Sequence, residues 1–114
     1  MTVDILLVSA ALVTYFGWRY VTQRQVRKRL PELLANGAQI VDVRTPGEFA
    51  AGHAPNSVNI PLDRLEKGLN MLDQSRPVIV CCASGTRSAM AAVALRRKGF
   101  PEVVDGGTWR NVSL

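Results

Sequence analysis

Residues 77–99, PVIVCCASGTRSAMAAVALRRKG, constrain the fold more than any other stretch of the chain. Their opening run, VIVCC, carries nothing but apolar and thiol side chains, which suits a strand buried on both faces. Such strands belong to parallel sheets covered by helices. The following SAMAAVALRRKG reads as an Ala-rich helix whose cationic end, Arg96, Arg97 and Lys98, complements the helix dipole, with Gly99 placed to close it. The short loop between strand and helix therefore lies at a helix N-terminus, where unpaired backbone N–H groups converge on an anion.

The other segments fit the same architecture. PELLANG, with Pro31 at its start and Gly37 just past its end, predicts a short helix. QIVDVR (39–44) predicts a strand, TPGEFAAGHAPN (45–56) a loop with one helical turn near Glu48, and SVNIP (57–61) a brief extended piece. Apolar residues at 62, 65, 69 and 72 have helical spacing, and EVV (102–104) closes the series as a last short strand. At 114 residues the chain has room for one small domain.

Ahead of that domain, residues 5–18, ILLVSAALVTYFGW, carry no charge. As a helix they reach roughly 21 Å, and counting from Thr2 to Tyr20 approaches the roughly 30 Å hydrocarbon thickness of a bilayer. Asp4 then lies near one interface and Trp18 and Tyr20 near the other, with Arg19 snorkelling to the headgroups. The formal charge of +5 is local: Arg19, Arg24, Arg27, Lys28 and Arg29 fall in a window without acids, and the remaining nine basic and nine acidic residues cancel. This pattern predicts a single-pass membrane anchor with the domain on the cytoplasmic side, its basic stretch drawn to anionic lipid or continuing the helix. A cleaved signal would begin with a positive n-region, which is absent. Without interleaved aromatics or a DNA-reading motif, the basic window does not predict nucleic-acid binding.

Two frames can be read at the adjacent cysteines. From Cys81 the segment is Cys-X5-Arg-Ser, the spacing of cysteine-dependent phosphatases and arsenate reductases. From Cys82 it is Cys-X4-Arg-Ser, a smaller loop suited to a smaller guest such as a persulfide sulfur. At a helix N-terminus either thiol is favoured as thiolate, with pKa values at comparable sites of roughly 3.5 to 7.5. Spacing alone leaves both frames open.

Three separated segments in order, DVRTPGEFAAGHAPNSVNIP (42–61), VIVCCASGTRSAMAAVALRRKGF (78–100) and VVDGG (103–107), resemble a rhodanese domain over essentially everything from Pro31 onward. The resemblance implies a small α/β fold, an open parallel sheet flanked by helices, and a six-residue loop of the form Cys-x-x-Gly-x-Arg opened by Cys82. It implies sulfurtransferase chemistry, in which Cys82 takes the outer sulfur of an anionic donor such as thiosulfate and passes it to cyanide or a thiol, including a protein thiol. Ala83, Ser84, Gly85, Thr86 and Ser88 would hold the anionic persulfide through backbone N–H groups, an oxyanion-hole role. Arg87 would bind the donor's anionic group or brace the loop, and Ser88 would cap the following helix and hydrogen-bond the sulfur. Asp42, Arg44 and Glu48 would be structural, with an Arg to Glu ion pair steadying the loop after the first strand, and His53 a packing residue. No metal or organic cofactor is implied.

The expected organisation is an anchor over 1–21, a basic juxtamembrane linker over 22–30 and a rhodanese-like domain over 31–114. Phosphatase relatives with a seven-residue loop make the Cys81 frame the alternative. A non-catalytic binding module at the membrane is another, although it has no need of an anion-holding loop. Outside the Cys81 frame, Cys81 fills the strand end as a small apolar side chain. After Gly107 the sequence departs from the family pattern, with Trp109 only two residues on, so one pocket wall is expected to be incomplete unless a protein acceptor completes it.

Overall fold

In the computed structural model, which describes residues 4–113, four strands form one parallel sheet in the order β2-β1-β3-β4. These are β1 (Gln39–Asp42), β2 (Val58–Asn59), β3 (Val78–Cys82) and β4 (Val103–Thr108). Thr2 and Leu114 lie outside the described residues. The helices are α1 (Ile5–Ala35), α2 (Pro46–Ala51), α3 (Leu65–Gly68) and α4 (Thr86–Arg97).

Every residue of β3 is buried, as its unbroken apolar run requires. Side chains alternate across a strand, so β3 feeds two cores. Val78, Val80 and Cys82 pack with Ala91, Leu95 and Phe100 on the α4 side. Ile79 and Cys81 pack with Leu30, Leu33 and Val112 on the α1 side. The two neighbouring cysteines thus belong to opposite faces of the sheet.

α1 departs from the expected short helix at Pro31, because one helix runs through the uncharged segment, the basic stretch and Pro31 together. Proline inside a helix lacks a hydrogen-bonding N–H and costs about 3 kcal/mol. Burial on either side offsets this: Leu30 and Leu33 enter the core, and Val26 and Leu34 pack against it. Of the two forms expected for the basic stretch, it takes that of a helical continuation. The apolar part of α1 is unburied and accounts for a long axis of 53 Å against 30 and 29 Å.

Two other elements differ from expectation. Residues 62–71 form α3 between 3-10 turns at Leu62–Arg64 and Leu69–Met71 rather than a single helix. Gly68, a weak helix former, ends α3 where a Cβ would come within 2.6 Å of Ile60. β4 continues past EVV through Gly106 and Gly107, with a register shift opposite Val80 and Cys81. A Cβ at Gly106 would meet Val112 at 2.8 Å and the Val80 carbonyl at 3.1 Å, so the bulge needs glycine.

Candidate active site

Strand order sets the position of the site. From β1 the chain moves outward to β2, while β3 and β4 extend the sheet the other way. The crevice beyond the C-terminal ends of β1 and β3 is therefore the topological switch point, where open α/β sheets bind ligands. The loop after β1 and the loop after β3 face each other there.

β3 ends at Cys82 and α4 begins at Thr86, so the chain turns within three residues. Gly85 makes the turn with φ +100°, a left-handed value that residues with a side chain rarely adopt. This places the Gly85 N–H 2.9 Å from Cys82 Sγ. The Cys82 thiol lies 3.5 Å from Ser88 Oγ, and that hydroxyl donates to the Gly85 carbonyl at 3.0 Å. Burial alone would raise the Cys82 pKa, but the Ser88 hydroxyl and the N–H groups of Ser88, Gly85 and Ser84 outweigh it and bring it below the ordinary thiol value. Cys81 has no such partners. Burial, reinforced by the charge of Asp42, pushes its pKa far up.

Ser88 does not cap α4. Gly85 occupies the N-cap and has no side chain to accept from the first-turn N–H groups, while the Ser88 hydroxyl, one turn on, donates back to the Gly85 carbonyl. Ala83, Ser84 and Thr86 are exposed on the loop.

The charged residues pair differently from the expectation. Glu48 receives both ends of the Arg87 guanidinium, at 2.7 and 2.9 Å. Arg44 instead binds the buried Asp42 at the end of β1, Nη2 to Oδ2 at 2.7 Å and Nε to Oδ1 at 2.9 Å, and donates to the Gly52 carbonyl at 2.7 Å. Asp42, two residues away, satisfies Arg44 with a bidentate pair, and Glu48 takes Arg87 from the opposite side of the crevice. The bidentate Glu48–Arg87 pair ties the first turn of α2 to the first turn of α4 across the crevice. The Arg87 guanidinium, followed by the Thr45 N–H, holds the Glu48 pKa down to about 2. Thr45 and Glu48 also form a reciprocal capping box at the start of α2, which aims the carboxylate.

His53 is exposed and stacks on Phe49 with ring centroids 3.8 Å apart and its Nδ1 2.9 Å from the Phe49 carbonyl. Trp109 lies under the Arg44 guanidinium at 4.9 Å and beside Gly52, so it backs the buried ion pair.

With this geometry described, comparison with known proteins is informative. The family model for the Rhodanese-like domain matches residues 26–108. The chain belongs to the rhodanese family. It is 36% identical over 103 residues to the uncharacterized protein YqhL of Bacillus subtilis, covering 87% of this chain and 82% of that one. It is also 36% identical over 94 residues to the thiosulfate sulfurtransferase GlpE of Pseudomonas aeruginosa, covering 79% and 86%. A solved rhodanese with anions from E. coli superposes with a TM-score of 0.64 at 25% identity, over 68% of this chain and 94% of that one. The rhodanese match begins inside α1, at residue 26, five residues before Pro31.

The structure gives Arg19 and Arg27 contacts that the sequence does not signal, and brings in Gln23 and Asn111 beside them. The Arg19 guanidinium donates to the Ser84 carbonyl in the loop instead of reaching only toward headgroups. Asn111, nearly fully buried, accepts from Arg27 at 2.6 and 2.9 Å and donates to Gln23 at 3.2 Å. These contacts join positions more than eighty residues apart for Asn111 and 65 apart for Arg19, so no local pattern signals them. The capping box was readable in TPGE by its spacing.

Proposed function

We propose that the chain is a membrane-tethered sulfurtransferase with Cys82 as nucleophile and α1 as a single-pass anchor that leaves the domain in the cytoplasm. The observation that carries this reading is the 2.9 Å contact from the Gly85 N–H to Cys82 Sγ, in a loop whose hydrogen bonds lower the thiol's pKa. The relative named a thiosulfate sulfurtransferase supports the choice of donor. In the first step the Cys82 thiolate attacks the outer sulfur of thiosulfate. A new S–S bond forms, the old one breaks, and its electron pair leaves with sulfite. The terminal sulfur of the resulting persulfide carries the negative charge, and the N–H groups of Ser84, Gly85 and Ser88 are the donors that stabilise it. In the second step cyanide or an acceptor thiolate attacks that terminal sulfur and Cys82 returns as thiolate.

Arg87 acts as the brace that keeps the loop facing the crevice, and the Asp42–Arg44 pair is structural, holding the chain after β1. The basic residues after Trp18 support the cytoplasmic orientation. The Cys81 frame draws no support, since that thiol packs among apolar side chains on the other face of the sheet.

The test is thiocyanate formation from thiosulfate and cyanide by the full chain in detergent. Cys82→Ser should lose activity on the order of 10³-fold or more, whereas Cys81→Ser should keep most of it. Activity that survives in Cys82→Ser, or vanishes only in Cys81→Ser, would remove Cys82 from this role.

A further inference from the structure

We propose that Arg19, on the anchor helix, is a positioning residue for the active loop: it fixes the peptide unit whose N–H stabilises the Cys82 sulfur. The proposal rests on Cys82 being the reacting thiol and extends that reading to a residue outside the loop.

The Ser84 carbonyl and the Gly85 N–H are the two ends of one planar peptide unit and point in opposite directions. One end accepts from the Arg19 guanidinium and the other donates to Cys82 Sγ at 2.9 Å. Gly85 has φ +100°, and no Cβ restrains this plane from rotating. A rotation would turn a carbonyl oxygen toward the anionic sulfur in place of a donor. A cation on the carbonyl opposes that rotation and polarises the N–H at the far end. A Cβ built on Gly85 would lie 3.2 Å from the same guanidinium, so Arg19 is seated closely on this turn.

The placement of Arg19 is itself held. Arg19, Gln23 and Arg27 are four residues apart and share one face of α1. Gln23 meets Asn111 and packs within 3.4 Å of the Cβ position of Gly107, and Arg27 bonds Asn111. This polar stripe locks the helix to the end of β4 and delivers Arg19 to the loop. The anchor thereby supplies a part of the site that rhodanese loop sequence alone does not contain.

The test uses the full chain in detergent with Cys81→Ser throughout, so that Cys82 is the sole cysteine, and follows the rate of its alkylation by iodoacetamide from pH 5 to pH 10. The midpoint reports the thiol's pKa and the plateau reports access to it. Arg87 and Glu48 across the crevice, Asp42 and Arg44 at the end of β1, and Asp105 on β4, which accepts from the Gly107 N–H, are the other ionisable groups around the loop and its strand, and they are the same in every variant. Arg19→Met should raise the midpoint by about one pH unit. Arg19→Lys, which keeps a cationic donor, should shift it far less, and Gln23→Ala, which loosens the stripe that delivers Arg19, should raise it by less than Arg19→Met does. An unchanged midpoint in Arg19→Met, or an equal shift in Arg19→Lys, would overturn the role of Arg19. A parent thiol that fails to titrate over this range would overturn the assignment of Cys82 as well.

Discussion

At the scale of single residues, each side chain's chemistry here follows from its neighbours. Glu48 makes this testable, because Arg87 holds its folded pKa at about 2 against an ordinary 4.5. A depressed carboxyl pKa contributes stability that is complete above the ordinary value and is lost as pH falls toward the folded one. The difference in Tm between the parent and Glu48→Gln should therefore be largest at pH 7 and shrink between about pH 4.5 and 2. A difference that stays constant down to pH 2.5 would mean the Arg87 pair is not its source. The buried pair gives a second test. Asp42→Ala leaves the Arg44 guanidinium in the core without its counter-charge, and denaturant unfolding should register a loss of about 3–5 kcal/mol. A loss under 1 kcal/mol would mean that Arg44 escapes to water. The sequence allowed either cysteine to react, and the alternation of β3 separates them onto opposite faces. Which face carries the site depends on where α4 lands, and five apolar residues in a row contain no record of that. The partners of Arg44 and Glu48 are illegible in the local pattern for a related reason: Asp42, two residues from Arg44, satisfies it, and Arg87, the partner of Glu48, lies 39 residues away.

At the scale of elements, α1 is the least expected part. Pro31 and Gly37 are ordinary start and stop signals, and they correctly mark the end of the helix near Ala35. They misplace its beginning because Leu30, Leu33 and Val26 bury against Ile79 and Val112, a tertiary gain that outweighs the local cost of proline. β3, the loop and α4 were legible because their signals are local: a continuous apolar run, a glycine turn and an alanine-rich helix. The docking of α1 leads to two expectations. Leu30→Ala should cost about 2–5 kcal/mol in urea unfolding, as for other fully buried leucines. A chain trimmed to begin at Pro31 should unfold at lower denaturant than one begun at Thr22, because it loses Leu30, Val26 and the Arg27 contact with Asn111. Equal midpoints for the two would show that this half of α1 is dispensable to the domain.

At the scale of the whole molecule, the rhodanese fold and the apolar helix are parts of one unit, since the helix that leads toward the proposed bilayer also supports β4 and touches the active loop. If α1 spans the membrane, Arg19 sits at its border on the domain side and the loop is held at that surface, where donor and acceptor must arrive. Fractionated cells should then retain the full chain in the membrane after an alkaline carbonate wash; release into the wash would contradict a spanning anchor. The central claim is the persulfide, and the most direct measurement of it is the intact mass of the full chain after incubation with thiosulfate and removal of excess donor. The account predicts the addition of one sulfur atom in the parent and in Cys81→Ser, reversed by cyanide, and none in Cys82→Ser. A sulfur gained by Cys82→Ser, or no gain in any form while the fold stays intact, would contradict it.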